Sequence, residues 1–176
     1  MQAFAAYLVS EMICHPFPPV FDADSEILIL GSFPSVKSRE NRFYYGHPQN
    51  RFWRVIAAIY GAEIPQTFDE KTELLLKNHI ALWDVLASCE ITGSSDSSIK
   101  AAVPNDLTRI LSNCSIRAIY TNGRTADKFY RRFSLGAAGR EAVCLPSTSP
   151  ANAAWSLESL IAAWKCIAEN SQPPEV

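Results

Sequence analysis

The chain has 176 residues, of which 48% are hydrophobic and 19% are charged, and its formal net charge is −2. This is the composition of an ordinary globular protein, and the length favours one domain, which we expect to span residues 1–169. No apolar run reaches the roughly 18 residues of a membrane-spanning helix, and residues 1–10 lack the basic start of a secretory signal. We therefore expect a cytoplasmic monomer without a membrane partner, associated with the nucleoid if DNA is its substrate.

Basic side chains are concentrated in two parts of the chain. Ten of the 16 Lys and Arg residues lie in residues 37–54 and 124–140, and each of these windows holds five basic residues and one acid. If the fold brings both windows to one face, they form a basic groove for nucleic acid on a slightly acidic protein. The alternative is that they are two solvated helix faces.

The sequence does not indicate a metal or a cofactor. The five cysteines are widely spaced and odd in number, which argues against a disulfide framework and a zinc ribbon. We expect them to be small buried thiols in a reducing compartment. The three histidines are too dispersed for a metal site, and no Walker or Gly-x-Gly-x-x-Gly sequence indicates a nucleotide cofactor.

In chain order, residues 2–13 predict a short helix or arm that ends at the prolines at positions 16, 18 and 19. Four aliphatic runs predict strands buried on both faces, at residues 27–30, the first part of 80–86, 116–121 and 141–145. Helices are predicted from Asn50 as cap to Gly61, over 67–77 with Thr67 and Glu70 as a capping box, and over 104–111, 125–133 and 152–169. Residues 89–100 predict a loop, and residues 170–176 predict a disordered tail.

This alternation of strands and helices predicts an α/β domain with three layers, α/β/α, around a four-stranded, mostly parallel central sheet. Ligands of such sheets lie beyond the carboxyl ends of the strands, where residues 31–50, 84–98, 122–125 and 146–152 follow. The first and last of these loops carry hydroxyls, amides and aromatic rings beside arginines, but apart from Glu40 they carry no carboxylate, and they have no Gly-x-Ser-x-Gly elbow. That set of groups suits an extruded nucleobase better than a hydrolase triad.

Three motifs occupy these loops: Gly31-Ser-Phe-Pro-Ser35, Tyr44-Tyr-Gly-His-Pro-Gln-Asn-Arg-Phe-Trp53 and Ser149-Pro-Ala-Asn152. Together they resemble the uracil-DNA glycosylase superfamily over roughly residues 25–165. The nearest branch is that of the hypoxanthine-DNA (deoxyinosine) glycosylases, which are related to the mismatch-specific uracil-DNA glycosylases. The resemblance implies a uracil-DNA glycosylase-like fold and, as partner, double-stranded DNA that contains a deaminated base. The implied reaction is hydrolysis of the N-glycosidic bond of a flipped base, hypoxanthine foremost, without a cofactor.

The resemblance also implies residue roles. Asn50 of the His-Pro-x-Asn motif is the implied catalytic residue, which positions the attacking water through its carbonyl oxygen, and Tyr45 stacks on the base. The implied base-binding residues are Gly31, Ser32, Phe33, Tyr45 and Asp84. The implied DNA-binding residues are Ser35, Arg39, His47, Arg51, Ser147, Ser149, Pro150, Ala151 and Asn152. Within this set, residues 150–152 are expected to enter the minor groove and fill the space of the flipped base.

The sequence departs from its relatives at two of these positions. Mismatch-type enzymes carry an Asn at the position of Phe33, and uracil-specific enzymes carry a nearby Asp and a His at the position of Ser147. The first motif therefore reads as a backbone cradle for the base, and the catalytic role moves to Asn50. Structural roles stay open for Asn50 as a helix cap, His47 as a loop anchor and Asp84 as a strand-end cap or salt-bridge partner. For the whole protein, a uracil or mismatch-specific glycosylase and a non-catalytic nucleic-acid-binding module stay open.

Overall fold

The computed structural model describes residues 11–171, which form two β-sheets surrounded by short helices. The strands are β1 (Met12–Cys14), β2 (Ile27–Gly31), β3 (Ile80–Asp84), β4 (Leu86–Glu90), β5 (Lys100–Pro104), β6 (Ala118–Asn122) and β7 (Val143–Leu145). The α-helices are α1 (Val36–Asn41), α2 (Phe52–Ile59), α3 (Phe68–Lys77), α4 (Thr108–Leu111), α5 (Arg124–Phe129), α6 (Leu135–Ala138), α7 (Leu157–Trp164) and α8 (Cys166–Ser171). A 3₁₀ turn lies between β4 and β5, and a π-helical turn joins α5 to α6.

The central sheet has four strands in the order β3-β2-β6-β7, and each neighbouring pair is parallel. Every residue of β2 and β3 is buried, which requires that both faces of the sheet are covered. The prediction of an α/β fold around a four-stranded, mostly parallel sheet is therefore confirmed. Because the strands run in one direction, their carboxyl ends meet at one edge, where the motif-bearing loops also lie.

A second, antiparallel sheet of order β1-β4-β5 was not predicted. The predicted loop over residues 89–100 is wrong at both ends, since Cys89 and Glu90 end β4 and Lys100 begins β5. Met12 and Ile13, predicted to be helical, form a strand with β4, while the rest of that predicted helix lies largely outside the described residues. These strands are short and half-exposed, so they lack the aliphatic runs that signal buried strands.

The helices predicted from residue 50 onward are present, but most of their bounds differ from the prediction, and the structure adds further short helices. The capping box of α3 is present, because the Thr67 hydroxyl accepts the Glu70 N–H while the Glu70 carboxylate accepts the Thr67 N–H. Helix α1 lies within a predicted loop, and the final helix begins at Leu157 instead of Asn152. Helix α8 extends to Ser171, within the predicted tail of residues 170–176, and the rest of that tail lies outside the described part. The single domain over residues 1–169 stays a prediction.

The cysteines are all free, as expected, but they are not all buried. Cys89 is buried, whereas Cys14 and Cys144 are exposed, so the expectation of five buried thiols is wrong. None of the helices within residues 11–171 is long and apolar enough to cross a lipid bilayer.

The capping box makes a direct stability prediction. Thr67→Ala removes the hydroxyl that accepts the Glu70 N–H at 3.2 Å, and we expect it to lower the free energy of unfolding by about 1 kcal/mol in urea titrations. Thr92→Ala, at an exposed position of the β4–β5 loop, is the matched control and should change stability by less than about 0.5 kcal/mol. Equal stability of the two variants would show that the box does not stabilise α3.

Candidate functional site

The carboxyl ends of the central strands open into a cleft of about 1090 Å³. Every predicted site residue lines this cleft except Arg39 and Arg51. Residues that the sequence predictions did not use also line it, notably Asp96, Asn122, Arg124, Thr148 and Trp155. The first and last motif loops form facing parts of the wall, although about 100 residues separate them in the chain.

The Asn50 side chain lies at the centre of a hydrogen-bond chain between the motif loops. Its Oδ1 accepts the Phe52 N–H at 2.9 Å and the hydroxyl of the fully buried Thr148 at 3.0 Å. Asn122 orients Thr148 in turn, since its Nδ2 donates to the Thr148 hydroxyl and its Oδ1 accepts the Thr148 N–H. A backbone N–H can only donate, so the bond from Phe52 identifies the accepting atom of Asn50 as oxygen.

This arrangement changes the expected use of the Asn50 amide. An amide oxygen has two lone pairs, and both are engaged by protein donors, so the Nδ2 group is the part left for a ligand. The helix-cap interpretation is correct in part. The N-cap position of α2 is Arg51, whose side chain makes no capping bond, and Asn50 satisfies the first free amide of the helix from one residue earlier.

Arg51 binds the backbone of the last motif loop. Its guanidinium donates to the carbonyls of Ser149 at 2.7 Å, Asn152 at 3.0 Å and Thr148 at 3.4 Å, and also to that of Trp155. The Arg51 backbone N–H adds a bond to Thr148 O at 3.1 Å. The predicted DNA contact of Arg51 stays a prediction, and in this structure its guanidinium donors hold the loop.

Hydrogen bonds within the loop of residues 147–152 also stabilise its conformation. Asn152 donates from Nδ2 to Ser147 O at 2.9 Å, and the Ser147 and Ser149 hydroxyls accept the N–H groups of Ser149 and Ala151, both at 3.2 Å. Ala151 is exposed at the loop tip, which suits the predicted insertion into DNA. Asn152 and the two serines thus shape the loop, and their predicted DNA contacts stay predictions.

Gly31, Asp84 and Tyr45 form the floor of the cleft. Gly31 and Asp84 lie side by side on β2 and β3, and a Cβ atom on Gly31 would come within 2.1 Å of Asp84 Oδ1 and 3.1 Å of the Tyr45 hydroxyl. Asp84 is buried, and its Oδ2 lies 2.7 Å from Nε2 of His15. Of the two structural roles left open for Asp84, the structure shows that of a salt-bridge partner, and the paired residue is a histidine that the sequence predictions did not use.

Tyr45 adopts a backbone conformation that few non-glycine residues adopt, with φ of 53°. Its ring stacks on Phe52 with 4.1 Å between ring centroids, so only the opposite ring face is left for a base. Its hydroxyl is buried without a hydrogen-bond partner. Burial and the nearby charge of Asp84 raise the pKa of Tyr45 far above its ordinary value, which keeps the phenol protonated. The nearby Asn122 amide opposes this rise, although it makes no hydrogen bond with the Tyr45 hydroxyl.

The β4–β5 loop closes one side of the cleft and contacts the first motif. The Arg39 guanidinium donates to Gly93 O at 3.2 Å and lies over the ring of Phe33. The Phe33 side chain belongs to the hydrophobic core. Asp96 accepts from the Ser32 hydroxyl at 3.3 Å. The predicted DNA contact of Arg39 stays a prediction; its guanidinium faces this loop and lies outside the cleft lining.

Asp96 is a carboxylate that the sequence analysis missed. It lies in the Ser-rich segment 84–98, which the order of elements places at the carboxyl ends of the strands. Although the residue is partly open to solvent, loss of water around the carboxylate raises its pKa, the charge of Asp84 adds to the rise, and hydrogen bonding from Ser32 opposes it. A carboxylate with a raised pKa in a cleft is typical of functional sites.

Ser35 and His47 serve local structure as well as lining the cleft. The Ser35 hydroxyl caps α1 by accepting the Ser38 N–H at 3.2 Å. His47 Nδ1 accepts the Gln49 N–H at 3.1 Å, as the loop-anchor alternative expected. Within residues 11–171 no group of three or more His, Cys, Asp or Glu side chains is placed to hold a metal ion.

The two basic windows contribute less free positive charge to the cleft than their composition indicated. Arg131 pairs with Asp127 and Glu141, Lys37 pairs with Glu40, and Arg39 and Arg51 bind carbonyls. Arg124 is the basic residue of these windows that lines the cleft.

Comparisons with known proteins agree on one family. Residues 18–168 match the family model described as the uracil DNA glycosylase superfamily. The chain is 38% identical over 147 residues to a protein of Methanosarcina acetivorans named hypoxanthine DNA glycosylase, covering 82% of this chain and 92% of the relative. A protein of the same name from Methanosarcina barkeri is 36% identical over 151 residues, covering 84% and 93%.

A solved structure is similar over nearly the same length. It is the solution NMR structure of a candidate uracil DNA glycosylase from Methanosarcina acetivorans, with a TM-score of 0.72 and 36% sequence identity. The match covers 86% of this chain and 96% of that chain.

The bonds from Arg51 predict that this residue controls loop order. Arg51→Met keeps much of the aliphatic stem but removes one hydrogen bond from each of four carbonyls, and we expect faster amide hydrogen exchange over residues 148–155 and a lower melting temperature. Arg54→Met, three residues further along α2, is the control and should leave exchange in the loop unchanged. Wild-type exchange in Arg51→Met would contradict the assigned role.

The close approach of Gly31 to Asp84 predicts that a methyl group is not tolerated there. Gly31→Ala forces apart a buried carboxylate and the strand beside it, and we expect a loss of about 1–3 kcal/mol in the free energy of unfolding. Gly136→Ala is the control: it lies in α6 with open space around the added Cβ, and it should stabilise by about 0.5–1 kcal/mol. Urea denaturation of both variants measures the difference, and an unchanged Gly31→Ala would contradict the contact.

Proposed function

Because the chain belongs to the uracil-DNA glycosylase superfamily, we propose that it is a DNA glycosylase that removes hypoxanthine from deoxyinosine in duplex DNA. Two relatives named hypoxanthine DNA glycosylase match it over most of both chains and support glycosylase activity. The observation that carries the choice of hypoxanthine over adenine is the Asp84 carboxylate at the floor of the cleft.

The target base must leave the duplex to reach this floor. An enzyme cannot reach the glycosidic bond of a stacked base, so enzymes of this kind rotate the nucleotide out of the helix at a cost of a few kcal/mol. The cleft is large enough to take a nucleotide, and the loop of residues 147–152 stands at its rim. We assign Pro150, Ala151 and Asn152 to the minor groove, where they fill the vacated space, with Ser147, Ser149, His47 and Ser35 near the flanking phosphates.

Asp84 distinguishes bases by the edge that they present. Its Oδ1 has no hydrogen-bond partner among the described residues, and a carboxylate oxygen of this kind accepts hydrogen bonds. Hypoxanthine carries a proton on N1 and can donate to it, whereas adenine has a bare lone pair at N1. The free ring face of Tyr45 stacks on the base, and the backbone of Gly31, Ser32 and Phe33 borders it.

The reaction breaks the bond between C1′ of the sugar and N9 of the base and forms a bond from C1′ to a water oxygen. The transition state resembles an oxocarbenium ion, so the water needs to be well placed more than strongly deprotonated. We assign its placement to Asn50, whose Nδ2 is the free part of a side chain locked by Phe52 and Thr148. The water's proton passes to the departing hypoxanthine or to solvent.

Uracil is the second candidate substrate. The similar solved structure is described as a candidate uracil DNA glycosylase, and the N3–H of uracil offers Asp84 the same donor as N1–H of hypoxanthine. The edge that Asp84 contacts therefore does not separate these two bases, and only their sizes and the shape of the cleft do.

The deciding experiment is cleavage of duplex oligonucleotides that contain one deoxyinosine, deoxyuridine or deoxyxanthosine. Enzyme in excess should produce alkali-labile abasic sites fastest at deoxyinosine. Cleavage should weaken steeply with salt under subsaturating conditions, because phosphate contacts release counterions. No abasic sites with any of the three bases would leave only a non-catalytic binding module, and much faster uracil removal would replace hypoxanthine as the substrate.

The role of Asn50 can be separated from its structural bonds. Asn50→Ala and Asn50→Ser should both lower the single-turnover rate at least about a hundredfold, and the serine variant keeps an oxygen that can accept the Phe52 N–H. Thr148→Val is the matched control for the structural bond, since it removes the donor to Asn50 and leaves the amide in place. Melting temperature and duplex binding are measured alongside, and normal turnover in Asn50→Ser would remove Asn50 from the mechanism.

A further inference from the structure

His15 lies directly beneath the floor of the cleft. It follows β1, and its backbone N–H donates to Ala87 O at 2.7 Å, which extends the pairing of β1 with β4. Its ring makes edge or tilted contacts with Phe17, Phe33 and Tyr44. The side chain is only 4% exposed, so the histidine is held in an aromatic cage.

The one polar contact of the His15 ring among the described residues is with Asp84. Nε2 lies 2.7 Å from Asp84 Oδ2, while Nδ1 is buried without a hydrogen-bond partner. Both side chains are almost fully buried, at 4% and 6% exposure. A buried ionisable pair with an unsatisfied nitrogen is no more stabilising than apolar side chains of the same volume, so stability alone does not account for it.

The geometry of this pair determines what the other carboxylate oxygen can do. If the shared proton is on Nε2, Asp84 is ionised and Oδ1 is a bare acceptor. If the proton is on Oδ2 instead, Oδ1 is the carbonyl oxygen of the acid and still a bare acceptor. In both states the proton lies between His15 and Oδ2, so Oδ1, which packs over Gly31, accepts and does not donate.

We propose that His15 is a positioning residue that keeps Asp84 Oδ1 a hydrogen-bond acceptor, and that it thereby makes the site select bases with a protonated ring nitrogen and reject adenine. The inference rests on the glycosylase function proposed above and adds the residue that sets its choice of base. The structure brings the two residues together across 69 positions of the chain, through a strand pairing of the antiparallel sheet.

Loss of His15 should therefore change selectivity as well as rate. Without His15, no side chain among the described residues pairs with Oδ2, so the position of a proton on the Asp84 carboxyl group is no longer fixed between the two residues. That proton can then reside on Oδ1 and donate to the bare N1 of adenine. Hypoxanthine loses its acceptor in the same variant. The preference for hypoxanthine over adenine therefore falls because adenine gains a hydrogen bond and hypoxanthine loses one.

The test compares His15→Phe, which keeps a ring in the aromatic cage, with His15→Gln, which keeps an amide donor. Single-turnover cleavage is measured on duplexes with deoxyinosine or deoxyadenosine opposite the same dC, in the wild-type and the Asp84→Asn background. We expect His15→Phe to reduce the rate ratio of hypoxanthine to adenine about tenfold to a hundredfold, and His15→Gln to restore most of it. In the Asp84→Asn background, His15→Phe should have no further effect, because both residues act through one oxygen.

Three results would overturn the inference while the glycosylase function stands: an unchanged ratio in His15→Phe, no recovery in His15→Gln, or an equal loss in the Asp84→Asn background. A wild-type enzyme that does not cleave deoxyinosine at all refutes the proposed function, and the inference fails with it. Melting temperatures monitor folding, and His15→Met replaces His15→Phe if the latter does not fold. His79→Asn, remote from the cleft lining, is the control histidine and should keep the wild-type ratio.

Discussion

The cleft depends on one connection, between the start of helix α2 and the loop that follows β7. Asn50 and Arg51 are neighbours in the chain, and together they bind four residues of the segment 148–155 through side-chain and backbone hydrogen bonds. Asn50 fixes the buried Thr148, and Arg51 fixes the exposed part of the loop. The group assigned to the water and the residues assigned to the DNA are therefore held in one rigid unit, which is the preorganisation that a dissociative transition state requires.

The shape of the site depends on the residues that support it as much as on the residues that face the ligand. Arg51 and Arg39 lie outside the cleft lining and bind backbone carbonyls of the loops that form its walls. An arginine offers five donors in a fixed fork, so a single side chain can hold a loop that would otherwise have several unsatisfied carbonyls. Asp84 shows the same principle at the floor, where a second buried side chain determines which of its oxygens is available.

Prediction from sequence succeeded where the signal was local. The aliphatic runs of β2, β3 and β6 identified the buried parallel strands, because strands covered on both faces need apolar residues at every position. The Thr67 and Glu70 capping box was read from four adjacent residues. The motif loops were placed at the cleft for the same reason, since the direction of parallel strands determines which loops share an edge.

Prediction failed where a structure depends on distant partners. Strands β1 and β5 are half-exposed and gain their order from pairing with β4, so no periodic pattern marks them. His15 was taken as a dispersed histidine because nothing near it in the chain indicates its contact with Asp84. Asp96 could have been predicted as a site residue, since it is an acid in a loop that the order of elements places at the strand ends.

The sequence by itself determined the fold class, the edge of the sheet at which a ligand lies and the family resemblance carried by three short motifs. These features depend on local composition and on the order of elements along the chain. Only the tertiary structure decided which atoms of those motifs are free. It showed that the Asn50 oxygen is occupied, that Arg51 holds a loop and that one oxygen of Asp84 is held by His15. A residue's type states which hydrogen bonds it can make, but its availability to a ligand depends on the partners that folding brings to it.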